Sequence, residues 1–334
     1  MTLIQDSRVK IQDPGSWSRL RLRQSTHLRD LCSETTFTAA HFVQPIFVVA
    51  GLQGAEPIPG LEGNERLGEA AALDVIARDL DHGVRHFLLF HVPDAKAARR
   101  FDWKPLAHAV EAIKSRFGDT LHLWVDICLC ASSADGHCGV TGVGGEIDLP
   151  ATLAALSEAA VAAAAAGADG ISPSDMMDGR TAALRAALDE AGHGRVPIMS
   201  YSTKFASQFY GPFRHAAQSA PRHGDRKHYQ IDVRARTDAI ESSVRCADEG
   251  ADLLMVKPGM TSIDLIRPIH EATGKLVGAY QVSGEYAGLV ALAQQKLTDL
   301  DAALAETWHV FRRAGAAFII SYGARHARRL GWGA

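Results

Sequence analysis

Three of the five cysteines in this 334-residue chain lie close together, in the segment DICLCASSADGHCG. If this segment is extended, Cys128 and Cys130 point to the same side, and Cys138 can return to them from a glycine-containing loop. Three thiolates leave a tetrahedral zinc ion one open position, where water or a substrate oxygen can bind. A redox pair would normally be spaced C-x-x-C, and ordinary buried cysteines would not cluster so closely. The spacing therefore predicts a catalytic Zn²⁺ site, with His137 as an alternative ligand.

Two lysines each end a short apolar or hydroxyl-rich run, Lys204 in SYSTKFAS and Lys257 in LLMVKPGM. A lysine at the inner end of a buried strand loses hydration, which lowers its pKa and leaves more free amine at neutral pH. A free amine can attack a ketone and form a Schiff base. One such lysine would more simply pair with a carboxylate, but two that lie close together disfavour each other's charge. The pair therefore predicts Schiff-base chemistry on carbonyl compounds.

A long segment, residues 209–230, reads FYGPFRHAAQSAPRHGDRKHYQ and combines aromatic with basic residues. We call it the lid, because loops of this length in compact domains are usually functional and often close over a site. Its Arg214 and Arg226 could bind a substrate carboxylate in bidentate fashion, with Gln230 nearby. A solvated basic loop is the alternative, but the aromatic neighbours favour a lid.

The elements that must position these residues follow a repeating order. Short apolar runs at 44–49, 85–90, 122–127, 169–172, 196–200, 252–256, 276–280 and 318–322 predict strands. Amphipathic or alanine-rich segments at 69–82, 104–116, 151–166, 180–191, 235–249, 284–295 and 300–314 predict helices. This alternation is typical of an α/β fold, a (β/α)8 TIM barrel. An open doubly wound sheet would usually carry a glycine-rich loop after its first strand, and AGLQGAEPIPG lacks that spacing.

The barrel would form one domain, residues 36–334, preceded by an extended N-terminal arm, residues 1–35. Barrel enzymes carry their chemistry at the C-terminal ends of the strands. The side chains predicted at those ends include Asp126, Ser174, Lys204, Lys257, Ser283 and Tyr322, together with the cysteines. Polar residues at successive strand ends predict a single active site.

Composition excludes several classes of function. The formal net charge is −3, so there is no overall basic field for nucleic acid. The longest alanine-rich run, ALSEAAVAAAAAGAD, is too short and too weakly apolar to span a membrane. The first residues, MTLIQDSRVKIQDPGSW, lack the apolar core of a signal peptide. We expect a cytoplasmic protein that binds neither nucleic acid nor membrane.

Several motifs together carry a resemblance to a known family. They are PSDMMDGR, SYSTKFASQFYGPFR, GDRKHYQ, LLMVKPGM, YQVSGEY and the cysteine segment. From about Leu20 to Leu330 the chain resembles porphobilinogen synthases, also called 5-aminolevulinate dehydratases. That family condenses two molecules of 5-aminolevulinate into the pyrrole porphobilinogen, with loss of two waters, in tetrapyrrole biosynthesis. The resemblance implies this activity, and its zinc-dependent branch implies Zn²⁺ bound by the three cysteines.

The resemblance also implies a role for each motif residue. Lys257 matches the lysine that forms the Schiff base with the first substrate, and Lys204 matches the second active-site lysine. Asp126 and Ser174 match polar residues near the lysines, and Asp126 is the candidate for proton transfer. Two groups of residues match the carboxylate clamps. They are Ser283 and Tyr322 for the first substrate, and Arg214, Arg226 and Gln230 for the second.

The family usually forms homo-oligomers, often octamers, in which the N-terminal arm wraps a neighbouring subunit. We therefore expect a homo-oligomer here. Sedimentation velocity at micromolar concentration tests this, and a purely monomeric species would contradict it.

Some positions depart from the family pattern, and they leave other functions open. The departures are Asp135, Ser242, Thr261, Ser262, Gly288 and Gly323. Ser242 stands where many bacterial members carry a glutamate that binds an activating magnesium, so we predict no such site. The alternatives are a paralogue that condenses a different amino ketone, a non-catalytic zinc-binding homologue, and a single-substrate Schiff-base aldolase. The last two leave the second lysine unexplained, and an aldolase also leaves the cysteine triad unexplained.

Overall fold

The computed structural model describes residues 18–331, which divide after Thr36 into two compact units. In the first unit, α1 (Ser18–Arg21) and α2 (Thr26–Leu31) are short helices. The Leu28 N–H donates to the Ser25 hydroxyl at 3.2 Å, which caps α2. Residues 1–17 of the predicted arm and residues 332–334 of the predicted domain lie outside the described part of the chain.

The second unit is a parallel barrel. Its strands are β1 (Phe42–Val49), β4 (His86–Val92), β5 (His122–Ile127), β6 (Gly170–Pro173), β7 (Met199–Lys204), β8 (Leu253–Lys257), β9 (Leu276–Gln281) and β10 (Ile319–Ser321), with a hairpin of β2 (Ala55–Pro57) and β3 (Glu65–Leu67). The order is β6-β5-β4-β1-β10-β9-β8-β7, and every pair on this path is parallel. A parallel bridge between Ile171 and Ile198 joins the ends of the path. The predicted (β/α)8 barrel is confirmed.

Helices follow the barrel strands along the chain, and one of them, α7 (Gly211–Ala216), belongs to the lid. They are α3 (Glu69–Asp81), α4 (Lys104–Phe117), α5 (Leu149–Ala165), α6 (Arg180–Glu190), α7 (Gly211–Ala216), α8 (Arg236–Asp248), α9 (Ile263–Thr273), α10 (Ser283–Gln294), α11 (Leu300–Arg313) and α12 (Ala327–Leu330). Gly167 and Gly250, each with a φ of +100°, end α5 and α8 in a conformation that favours glycine, and the next strand follows at once. No helix between residues 18 and 331 has the length and apolar character that crossing a bilayer requires.

Strand β7 (Met199–Lys204) begins and ends later in the chain than the strand predicted at 196–200. The difference arises because the hydroxyl-rich sequence after residue 200 also forms a buried strand. The pairing of β7 with β8 shifts register between Ser200 and Thr203, and Lys204 then stands opposite Lys257. The Thr203 hydroxyl donates to the Ala239 carbonyl of α8 at 2.8 Å, so its polarity is satisfied inside the protein. The sequence analysis did not predict the hairpin β2–β3 or helix α9.

Trp308 of α11 is fully buried. Its indole N–H donates to the Gln281 side chain at 3.1 Å, and its ring meets Phe42 and Phe37 at centroid distances of 4.6 Å and 5.5 Å. Trp308→Ala should lower the free energy of unfolding by about 3–5 kcal/mol, because it leaves a large cavity. Urea unfolding measures this, with Trp308→Phe as the milder control. A loss below about 1 kcal/mol would show that the surrounding core collapses into the space.

Candidate active site

The two lysines lie side by side at the rim of the barrel. Lys204 ends β7 and Lys257 ends β8, and the two residues are register partners in the sheet. Only 5% of Lys204 and 4% of Lys257 is exposed. Their depth follows from their place on strands whose other residues are almost all buried. The structure therefore brings the two predicted amines together in a sheltered position.

Aromatic rings surround the Lys257 amine. Its Nζ lies 4.2 Å from the ring centroid of Tyr280, 4.8 Å from that of Tyr201 and 5.0 Å from that of Phe213. Burial lowers the pKa of Lys257 to about 7, and the neighbouring Lys204 charge lowers it in the same direction. A neutral amine in this position is a nucleophile at physiological pH.

Asp126 and Ser174 stand beside the lysines. The Lys204 ammonium donates to the carbonyl of Ser174, and Ser174 is itself buried. Asp126 projects from β5, and its buried Oδ1 has no hydrogen-bond partner among the described residues. Burial raises the pKa of Asp126 to about 6, while Lys257 and Lys204 act to lower it. A carboxyl group poised between its two protonation states near neutral pH can accept and return a proton.

The lid covers the lysines. Phe213, in helix α7, packs against Phe90 and Phe47 with centroid distances of 5.0 Å and 5.7 Å. Its backbone N–H donates to the Ser283 hydroxyl at 3.1 Å, which fastens the lid to the start of α10. Tyr322 contributes a hydroxyl 3.2 Å from that of Tyr280. Ser283 and Tyr322 thus lie near the Lys257 side of the site.

Two of the other predicted carboxylate-binding residues line different cavities. Arg214 lines a cavity of about 480 Å³, whereas Gln230 lines one of about 660 Å³. Gln230 is buried, and neither atom of its amide group has a partner among the described residues. Arg226 donates through Nη2 to the carbonyls of Ser219 and Gly136, the latter at 2.9 Å. The unpaired Gln230 amide is costly unless a ligand pairs with it, which favours a polar ligand at this place.

The three cysteines converge as predicted. Their sulfur atoms all lie within 4.8 Å of one another, and those of Cys128 and Cys130 are 3.4 Å apart. An ion about 2.3 Å from each sulfur in tetrahedral geometry would space the sulfurs by roughly 3.8 Å. Hydrogen bonds from the other two thiols lower the pKa of Cys138 well below its ordinary value, while the pKa of Cys128 is raised. Three thiolates this close repel one another without a cation, so the cluster fits a metal ion.

His137 is not available as the alternative ligand. Its Nε2 lies 3.0 Å from the His223 carbonyl and its Nδ1 lies 3.2 Å from the Tyr229 hydroxyl. Nε2 must donate to the carbonyl, so Nδ1 accepts from the tyrosine and neither nitrogen is free. The tyrosine hydroxyl also accepts from the Cys138 N–H at 3.3 Å. Asp135, one of the departures, accepts from the His137 N–H at 2.9 Å and so braces the same loop.

The sequence analysis did not identify some residues that lie at the candidate site. Tyr201 and Tyr280 read as core residues of their strands, yet their rings contact the Lys257 amine. Glu285 is buried, and accepts from the N–H groups of Val282 at 2.9 Å and Met260 at 2.8 Å. It thus joins the start of α10 to the turn that follows Lys257. A glutamate at the third position of a helix is a signal that could have revealed this, since such residues often bond back to the helix start.

The structure shows the surroundings of two of the positions that depart from the family pattern. The Ser242 hydroxyl is buried and donates to the Ser202 carbonyl at 2.7 Å, so it serves the barrel backbone. A Cβ atom added at Gly323 would lie 3.2 Å from the Trp308 ring and 3.3 Å from Leu304, which is tighter than ordinary contact. Trp308 therefore occupies the space that a larger residue at position 323 would need.

Comparisons with known proteins point to one family. A family model described as "Delta-aminolevulinic acid dehydratase" matches residues 18–330. The "Delta-aminolevulinic acid dehydratase" of Synechococcus elongatus is 40% identical over 317 residues, which cover 92% of this chain and 97% of the relative. That of Bacillus subtilis is 38% identical over 314 residues, covering 92% and 96%.

A solved structure gives the same result. The delta-aminolevulinic acid dehydratase (porphobilinogen synthase) of Toxoplasma gondii ME49, in complex with the reaction product porphobilinogen, is 35% identical. It superposes with a TM-score of 0.90, covering 95% of this chain and 92% of the other. The family match, the two curated relatives and this shared fold lead to one conclusion: the chain belongs to the delta-aminolevulinic acid dehydratase family and is an enzyme of that dehydratase class.

Proposed function

We propose that this enzyme condenses two molecules of 5-aminolevulinate to porphobilinogen and releases two waters. The observation that carries the proposal is the pair of buried lysines in register at adjacent strand ends, one of them with a pKa of about 7. The names of the relatives and the product bound in the related structure support the same reaction. An aldolase acting on one substrate would need only one of the two amines.

Lys257 would activate the first substrate. Its neutral amine attacks the ketone carbon, and loss of water leaves a Schiff base whose protonated form withdraws electrons from the neighbouring carbon. Tyr280 and Phe213 exclude water from the bond that forms, since their rings lie within 5.0 Å of the amine. Ser283 and Tyr322 would hold the carboxylate of this substrate through their hydroxyl groups.

The second substrate would lie toward the lid. Arg214, Arg226 and Gln230 are the candidates for its carboxylate, and the unpaired Gln230 amide supports this assignment. Lys204 would bind or form a second Schiff base with its ketone. Holding both ketones at neighbouring strand ends turns a bimolecular reaction into an effectively intramolecular one.

Ring closure requires a proton to leave a carbon beside a carbonyl group or an iminium. Asp126 is the candidate base, because its Oδ1 is unpaired and its pKa is about 6. The Ser174 carbonyl holds the Lys204 ammonium in place beside it. We propose that Asp126 accepts the proton and returns it to a departing oxygen.

Cys128, Cys130 and Cys138 would hold Zn²⁺, since three thiolates form a soft, compact donor set. Bound zinc would supply Lewis-acid polarisation of a substrate group at its open position. Tyr229 and Asp135 keep the loop that carries Cys138 in place through hydrogen bonds to its backbone.

Turnover of 5-aminolevulinate by the purified protein tests the proposal. Porphobilinogen is followed with a pyrrole-specific colour reagent, with and without added zinc. Zinc-dependent pyrrole formation is expected. A folded, zinc-loaded protein that forms no pyrrole would contradict the proposal and favour the paralogue that condenses another amino ketone. Cytoplasmic location and homo-oligomeric assembly remain predictions.

The pH dependence of Schiff-base formation follows from the pKa of Lys257. Because that pKa is about 7, half of the amine is neutral near pH 7, against roughly one part in 2,500 for an ordinary lysine. Protonation on lowering the pH removes the nucleophile, so the rate should rise with pH and level off above about pH 8. Trapping with cyanoborohydride and mass spectrometry of the Lys257 peptide measures this rate. A rate still rising tenfold per unit at pH 9 would contradict the lowered pKa.

A further inference from the structure

The cavity of about 480 Å³ beside the lid has a cationic lining. Its charged and titratable residues are Arg66, Lys96, Arg214, His215 and Arg222. None of its lining residues is acidic. A concave surface that gathers cations without carboxylates creates a positive potential and concentrates anions.

The cavity lies where the lid meets the body of the barrel. Lys96, which follows β4, donates from Nζ to the Gln218 carbonyl of the lid at 2.5 Å. The backbone N–H of Arg222, also in the lid, donates to the Asp135 carbonyl at 2.8 Å. Side chains from the lid and from the barrel therefore reach the same space.

The positive charges in this cavity are poorly compensated. Among the described residues, the guanidinium groups of Arg214 and of the exposed Arg222 have no hydrogen-bond or ion-pair partner, and the Nε of Arg214 is buried. Arg66 pairs through Nη1 with Glu56 at 2.6 Å, but its buried Nε is also unpaired. Buried donors without acceptors are costly, and an oxyanion is the ligand that would satisfy several of them together.

We propose that this cavity is a binding site for a small tetrahedral oxyanion such as inorganic phosphate, which shares Arg214 with the second carboxylate position of the proposed function and is otherwise distinct from both carboxylate positions. Lys96, Arg214 and Arg222 bind it. Because Arg214 also belongs to the second carboxylate position, a bound oxyanion competes with the second substrate. Because Lys96 belongs to the barrel and Arg222 to the lid, the same anion also holds the lid closed.

Direct binding tests the site independently of catalysis. Inorganic phosphate is titrated into the metal-loaded protein by calorimetry, without substrate and at fixed ionic strength. We expect one site per chain, and dissociation constants raised at least about tenfold by Lys96→Met or by Arg222→Met, since each removes a charge-assisted bond. Lys96→Arg should retain binding. Lys227→Met is the matched control, because Lys227 is a lid cation that lines the other cavity.

Absence of saturable binding to the wild-type protein would overturn the proposal, as would equal binding by the Lys96→Met and Lys227→Met variants. Circular dichroism and thermal unfolding confirm that each variant is folded. If the Lys96→Met variant is misfolded, the binding constant of the Arg222→Met variant decides the test instead.

The kinetic consequence rests on the proposed function. Phosphate should raise KM for 5-aminolevulinate with little change in kcat, and Lys96→Met should remove this effect while keeping basal turnover. If Lys96→Met instead raises KM steeply without phosphate, the cavity holds the substrate carboxylate and a separate oxyanion site is wrong. If the protein binds phosphate but makes no pyrrole, the proposed function fails and the oxyanion site stands.

Discussion

A Lys257→Met variant should lose at least about 10⁴-fold in porphobilinogen formation, the scale seen when an enzyme loses its nucleophile. Methionine has a similar length and is apolar, so it fits the space between the rings of Tyr280 and Tyr201 without an amine. The loss therefore reports missing chemistry rather than a missing side chain. Steady-state turnover with 5-aminolevulinate measures it.

The melting temperature of the Lys257→Met variant is the control that shows whether its loss of activity comes from unfolding. An amine whose pKa burial lowers to about 7 costs free energy to keep charged, so an apolar replacement should leave the melting temperature unchanged or higher. Borohydride trapping should label the wild-type protein at Lys257 and leave the variant unlabelled at this position. Turnover within tenfold of the wild type would show that Lys257 is not the Schiff-base lysine.

A Cys130→Ala variant should lose both bound zinc and turnover. Three sulfurs within 4.8 Å of one another form the donor set, and two thiolates hold zinc far more weakly than three. We expect less than about a tenth of wild-type turnover at micromolar zinc, with zinc content measured by elemental analysis.

The fold should survive Cys130→Ala, because Cys130 packs with Cys138 and Met177 in a small cluster that is distinct from the two larger core clusters. Cys246→Ala is the matched control: it removes another buried cysteine, which packs in the main core and does not belong to the metal cluster, and it should keep zinc and activity. Unfolding or aggregation of Cys130→Ala would show that the metal is structural. Full turnover without zinc would exclude a catalytic metal.

Much of the barrel could be predicted because its strands are short, apolar and separated by helices of regular length. The prediction is weakest where buried strand is polar, as in β7, where the Ser202 and Thr203 hydroxyls donate to carbonyls of β8 and α8. Those partners are distant in sequence, so no local pattern indicates them. The hairpin β2–β3 was read as a loop because its strands have three residues each.

The candidate site was predicted where chemistry depends on residue type and strand position, as for Lys204, Lys257 and the cysteines. It was not predicted where it depends on packing between elements. The rings of Tyr201 and Tyr280 lie on strands where aromatic residues are ordinary core, and only the barrel's closure brings them against one amine. Likewise, Arg214 and Gln230 line different cavities because of the path of the lid, which sequence spacing does not predict.

The closure of the barrel has one further consequence. Between β6 and β7 the cylinder is joined by the bridge of Ile171 to Ile198, whereas β7 and β8 pair over several residues. Ser174 and Lys204 lie on opposite sides of this sparsely bonded seam, and the Lys204 side chain spans it. The hydrogen bond from the Lys204 amine to the Ser174 carbonyl therefore also ties the two sides of the seam together. Chemistry that changes the charge of Lys204 would weaken this tie across the seam, so that the reaction cycle and local opening of the barrel between β6 and β7 become coupled.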